Sequence, residues 1–327
     1  MCQIDSASPV SRYSPMAEVH EILSRHGLVE AKRFSATSKR ELVCLEAAHA
    51  VMADEKMEIG IAHAGFAMAS LPHRRTAERV WRREGGPIKL IIESGLDSNE
   101  APVGIPYGAI ARMILLYLQS QAVKTRSREV ELGASMNAWL TTMGVPIGGR
   151  TYRSVREQSS RISRCRLTFF QRTSTAELVH NGAFVRDAIL PLDPSGSGQG
   201  SLWQESVRLD EGFYQSLIEH PLPLRESAIQ EISGKSLAID LYMWFAYRLH
   251  VLGKPVQVSW GSLRDQFGPD YTVIRFFRRD VLPAIQLALA VYPEAKVDLD
   301  ERAGLTLHPS PPPVPPRPSR SARLRAE

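Results

Sequence analysis

One order of elements occurs twice along this chain, and that repetition restricts the fold more than any other feature. Residues 106–122 carry a helical pattern with Pro106 at a first-turn position. A short extended piece (128–132), a helix (134–143), the turn GVPIGG and a long helix (150–165) follow. Two strand-like runs, RLTFFQRT and AFVRDAILP, then read as a hairpin whose loop contains His180, Asn181 and Gly182. The second copy begins with the apolar helix SLAIDLYMWFAYRLHVLG and the extended VQVSW. It continues with a short helix capped by Ser259 or Ser262 and ending at Phe267, the turn GPD, a helix over 270–291, and the runs KVDLD and LTLHP joined across ERAG. Residues 109–119 answer 238–249, and 128–132 answer 256–260. Helix, strand, helix, turn, helix and hairpin is the plan of a winged helix-turn-helix.

The expected fold is therefore α+β and helix-rich, with two such units in tandem. Residues 1–87 form an N-terminal extension, polar and mobile to about residue 15 and helical beyond, with Ser38 and Glu41 placed for a capping box. The first winged-helix domain spans 88–190 and the second spans 201–308. Between them PLDPSGSGQG (191–200) has the composition of a flexible linker. The stretch 309–327 is proline-rich and basic, and is expected to be a disordered tail.

With 40 Lys and Arg against 35 Asp and Glu, the 327-residue chain carries a formal charge of +5, which suits a polyanionic partner. Its basic residues cluster. The predicted helix from Arg150 holds five arginines and one acid, Glu157, between 150 and 164. At about 100° per residue, Arg150, Arg153, Arg161 and Arg164 fall opposite Tyr152, Val155, Ser159 and Ile162. A solvated charged face would alternate signs at i and i+4, and here that alternation is mostly absent. Arg150, Thr151, Arg153, Arg156, Arg161 and Arg164 are the candidate DNA-contacting residues of this helix, arginine being well matched to guanine in the major groove. The equivalent helix of the second unit offers Tyr271, Thr272, Arg275, Arg278 and Arg279. A further run, Arg74, Arg75, Arg79, Arg82 and Arg83, fits docking or phosphate contact.

The enzymatic readings are weaker. Gly234, Lys235 and Ser236 imitate the end of a phosphate-binding loop, but Ile229 stands where its first glycine is needed. Asp298 and Asp300 could form a metal pair for a primase or nicking enzyme, yet alternation on a short strand accounts for them. The nine histidines form no His-x-His or His-x-x-x-His pair. No catalytic residue, cofactor or metal is expected. Three cysteines and the absence of an apolar leader fit a reducing bacterial cytoplasm.

Four blocks, IGIAHAGFAMASLPHRR, GGPIKLIIESG, VPIGGRTYRSVREQSSRI and VRLDEGFYQSLIEHPLPLRESAIQEISGKSLAIDLYMWFAYRLH, resemble plasmid-encoded replication initiators of the RepA type over roughly residues 58–308. The resemblance implies a protein that binds repeated double-stranded origin sequences, helps open the origin and recruits the host helicase and other replication proteins. It also implies exchange between homodimer and monomer, and repression of its own gene. A winged-helix transcriptional repressor is the alternative.

Overall fold

A computed structural model describes residues 15–35, 38–187 and 206–315. The fold is mixed α and β. Two helices open it, α1 (Pro15–Ser35) and α2 (Lys39–Met52). The capping box that starts α2 is complete: Ser38 Oγ accepts from Glu41 N and the Glu41 carboxylate accepts from Ser38 N. Next come β1 (Ile59–His63), the single turn α3 (Gly65–Met68), β2 (Val80–Gly85) and β3 (Ile88–Glu93).

The first unit contains α4 (Gly108–Thr125), β4 (Glu129–Glu131), α5 (Met136–Thr142) and α6 (Gly149–Arg164). Four strands follow: β5 (Arg166–Arg172), β6 (Glu177–Ala183), β7 (Val185–Asp187) and β8 (Ser206–Leu209). The second begins with α7 (Glu211–Glu219), β9 (Pro221–Arg225) and α8 (Glu226–Glu231). It ends with α9 (Ser236–Leu249), β10 (Val256–Ser259), α10 (Trp260–Phe267), α11 (Ile274–Ala290), β11 (Val297–Asp300) and β12 (Gly304–Leu307).

Strand pairing corrects two expectations. Among the described residues, RLTFFQRT meets AFVRDAILP only at Arg166↔Ala183. Its strand β5 lies between β3 and β6 in an antiparallel sheet of order β2-β3-β5-β6. The cause is side-chain alternation: Leu167 and Phe169 of β5 and Leu90 and Ile92 of β3 are all buried, so the two strands share one apolar face. The turn lies at Thr173–Ala176, where Thr173 N donates to Ala176 O, and His180 and Asn181 sit within β6 opposite Phe169 and Thr168.

The second correction concerns the proline-, glycine- and serine-rich stretch. Residues 191–200 lie outside the described residues, but the strands on either side of them pair with each other: Val185 faces Leu209 and Asp187 faces Arg208. The stretch therefore connects two strands of one sheet rather than two bodies, and the first unit continues to Leu209. That sheet has the order β4-β8-β7, and its counterpart in the second unit is β10-β12-β11. In both, the short strand after the long helix pairs with the last strand, which lies in the middle. The strand β8 (Ser206–Leu209), although it falls within the 201–308 span expected for the second domain, closes the first unit.

The two units are also packed together. Helices α4 and α9 are in contact, β1 pairs with β9 from Ile59↔Arg225 to His63↔Pro221, and one continuous apolar core includes residues of both. The Arg112 guanidinium of α4 meets the Asp240 carboxylate of α9 at 2.6 and 2.7 Å, both side chains nearly inaccessible to solvent. Helices α1 and α2 pack on α11, and His20 Nε2 lies 2.8 Å from Ala290 O. The start of the expected tail is fixed as well: Ser310 N donates to Leu249 O, Tyr292 Oη to Pro311 O and Arg225 Nε to Pro313 O. Residues 316–327 lie outside the described residues.

Candidate nucleic-acid interface

Helix α6 buries Val155, Gln158 and Ile162 and leaves Arg150, Arg153 and Arg156 exposed, with Thr151 half-buried at its start. Gln158 fixes its position, its Oε1 accepting from Tyr107 N at the start of α4 (2.9 Å). Tyr152 Oη is hydrogen-bonded to Asn137 on α5, which ties the helix to its predecessor across the GVPIGG turn.

Arg161 is not part of the exposed stripe. It is 4% exposed, donating from Nη1 to Ile105 O (2.9 Å) and from Nη2 to Glu157 Oε1 (2.8 Å), and it lies over the Tyr107 ring. The loop before α4 covers this flank of α6, and Gly104 makes room for it: a Cβ there would stand 2.2 Å from Arg161 Nη1. Arg164 is half-buried, its Nη1 donating to Ser160 Oγ (2.6 Å). The outward cations of α6 are therefore concentrated toward its N-terminal half.

Helix α11 starts at Ile274, four residues after the expected Asp270. Tyr271 N donates back to Gly268 O in the preceding turn, leaving Tyr271 and Thr272 ahead of the helix. Arg275 and Arg279 are exposed, each guanidinium 5.4 Å from the Phe276 ring, and Phe276 is itself 43% exposed. Arg278 is half-buried over the Trp260 ring at 5.1 Å. Arg279 donates to Asp280 (2.7 Å), as does Tyr271 Oη (2.9 Å), and these two hydrogen bonds hold the Asp280 carboxyl below its usual range. The candidates of α11 are thus brought together unevenly: Arg275, Arg279 and Thr272 face out, while Arg278 and Tyr271 are partly engaged.

Phe276 was missed in the sequence. Adjacent helical positions diverge by about 100°, so of Phe276 and Phe277 only one can enter the core, and that is Phe277 at 1% exposure. An exposed aromatic flanked by guanidiniums suits stacking or apolar contact with a base edge.

The loop 71–79 carries more cations between the two helices. Arg74, Arg75 and Arg79 are exposed. Arg83 is buried over Trp81, and its burial lowers its basicity.

The acidic pair has structural partners. Asp300 accepts from Arg302 N and Ala303 N (2.7 Å each) in the β11–β12 turn, and these bonds lower its pKa; Asp298 meets His308 Nε2 at 2.8 Å. Ser236, of the apparent phosphate loop, is the first residue of α9 and lies 3.0 Å from His73 Nδ1.

Residues 105–260 match the family model described as plasmid encoded RepA protein. The RepA-type segment runs from the loop before α4 to the first residue of α10, so it contains α6 and ends before α11. No curated protein matches the chain. Among solved structures, a selenomethionine form of domains 2 and 3 of RctB superposes with a TM-score of 0.50 at 13% identity, covering 75% of this chain and 96% of that one. A second structure of RctB domains 2–3 gives 0.47 at 13% identity, over 74% and 94%. At that identity the first likeness speaks to the fold alone, and it extends the comparison beyond the RepA-matched segment. Among the described residues no helix is long and apolar enough to cross a membrane.

Proposed function

We propose that this chain is a plasmid replication initiator that binds origin DNA through two winged helices, with α6 and α11 as the helices that enter successive major grooves. One observation carries the reading. Three helices and a three-stranded sheet of the same strand order recur in the two units, and in each the third of these helices bears outward arginines. The RepA match over the segment containing α6 supports the replicative role.

Arg150, Thr151, Arg153 and Arg156 act from the first unit, and Thr272, Arg275, Phe276 and Arg279 from the second. Contacts to guanine would specify sequence, and contacts to phosphate would set register. The protein itself performs no covalent step; opening of the origin follows from binding and from recruited helicase, and a homodimer exchanging with monomer represses the gene.

Footprinting on the parent plasmid tests this. Protection is expected over repeated sites within the replication origin, each longer than one helical turn. Protection confined to a promoter, with plasmid maintenance intact after deletion, would make the protein a repressor.

A further inference from the structure

Between α3 and β2 the chain crosses from one unit to the other over the ends of two helices. Leu71 O and Pro72 O accept from the Arg112 guanidinium at 2.7 and 3.2 Å, and Pro72 O also accepts from Gly108 N at 3.0 Å. One residue on, His73 Nδ1 is 3.0 Å from Ser236 Oγ. Gly108 and Ser236 are the first residues of α4 and α9, so this short segment is fastened to the same helical end in both units.

Directly after these anchors stand Arg74 and Arg75, both exposed. Arg75 lines a cleft of about 550 Å³ together with Glu78, Arg79, Gly104 and Arg161, next to the flank of α6. On the other side, Arg74 is near enough to α11 for its charge to act on Tyr271 and Asp280. Neither arginine is in an ion pair among the described residues. Across the seam, Asp280 of α11, the carboxylate that Arg74 acts on, is already engaged by Arg279 and Tyr271, so counter-charge for Arg74 and Arg75 is left to a polyanion.

We propose that Arg74 and Arg75 clamp the phosphate backbone of a DNA duplex where it passes from α6 to α11. This rests on the reading of both helices as DNA readers and adds a contact that neither unit makes alone. The segment is anchored to the first unit through the Leu71 and Pro72 carbonyls and to the second through the His73 side chain, so the clamp needs no ordering on binding.

The test uses the full chain and a duplex of about 40 base pairs, more than three helical turns, selected by the wild-type protein from random sequence. For R74A/R75A, the slope of log affinity against log salt should become shallower by about two units. The affinity lost between 50 and 200 mM salt should then shrink roughly tenfold relative to wild type. Hydroxyl-radical protection should disappear from the backbone between the two protected grooves and persist within them. R74K/R75K should keep the wild-type slope. An alanine variant with unchanged slope and footprint overturns the clamp while leaving the two readers standing, and so does a lysine variant that fails alongside a lowered melting temperature. Wild-type protein that selects no duplex overturns the DNA-reading function and the clamp with it.

Discussion

Arg112 and Asp240 occupy the equivalent helices of the two repeated units and meet face to face in the interior, with side-chain exposures of 3% and 2%. Two charges this deep are tolerated because their remaining atoms are satisfied: Arg112 also donates to Leu71 O, Pro72 O and Gly108 O. Removing one partner leaves the other charged and dry. Asp240→Ala should cost about 3 to 5 kcal/mol in chemical denaturation. Arg112→Met combined with Asp240→Leu should recover only part of that loss, because Leu71 O loses its donor while Pro72 O keeps Gly108 N. Full recovery would show that the bond to the Leu71 carbonyl contributes nothing.

The buried and exposed arginines of α6 should separate by assay. Arg153→Ala should leave the melting curve unchanged and weaken specific DNA binding by about 1 to 3 kcal/mol if it contacts a base. Arg161→Ala should do the reverse, destabilising the fold by about 1 to 3 kcal/mol as the Ile105 carbonyl loses its partner. Equal effects of both variants on binding with no change in stability would contradict the burial of Arg161.

Phe276 and Phe277 provide a similar contrast one residue apart. Phe277→Ala empties a core position and should cost about 3 to 5 kcal/mol. Phe276→Ala should change stability by no more than about 0.5 kcal/mol while reducing DNA affinity. Unaltered binding by Phe276→Ala would remove this ring from the proposed interface.

Acid should destabilise the fold through two histidines held neutral. His63 accepts from Gly65 N at Nδ1 (3.0 Å) and donates from Nε2 to Ser216 Oγ (2.8 Å), and it stacks on Phe169, a geometry that suits the uncharged ring. Burial first, and then the neighbouring His220 and His180, push its pKa down to about 3. His73 falls to about 4, chiefly through burial and the Arg112 charge; Asp240 lies 3.6 Å from it but is already engaged by Arg112. Both rings bind a proton near pH 6.5 once unfolded and only at much lower pH when folded, so the unfolded state takes up more protons as pH falls. Stability should therefore be complete above about pH 6.5 and decline below it, by up to about 1.4 kcal/mol per pH unit for each histidine. Urea titrations at pH 7.5, 6.0 and 5.0 check this, and replacing His63 with glutamine should flatten the slope.

What could be read from the sequence was local. Helical periodicity located α4, α6, α9 and α11, and the Ser38–Glu41 pair marked the start of α2. Projection onto a helix also found the arginine face of α6, but it gives an angle without saying what covers that angle, and so Arg161 was misjudged. Strand partners were the least legible feature, because register is decided by elements distant in the chain. Phe169 of β5 faces Leu90 of β3, and no local pattern around 166–172 announces that partner. Likewise, proline, glycine and serine mark a chain reversal between paired strands as readily as a tether between bodies.

The pairing of β7 with β8 has a topological consequence. The stretch at 191–200 can be severed without dividing the molecule, since the pieces on either side remain joined by β8 between β4 and β7, by β1 against β9 and by the interior contact of α4 with α9. The described residues up to Asp187 and from Ser206 are thus complementary parts of a single folded object, and the break that composition proposes between domains falls inside the first unit.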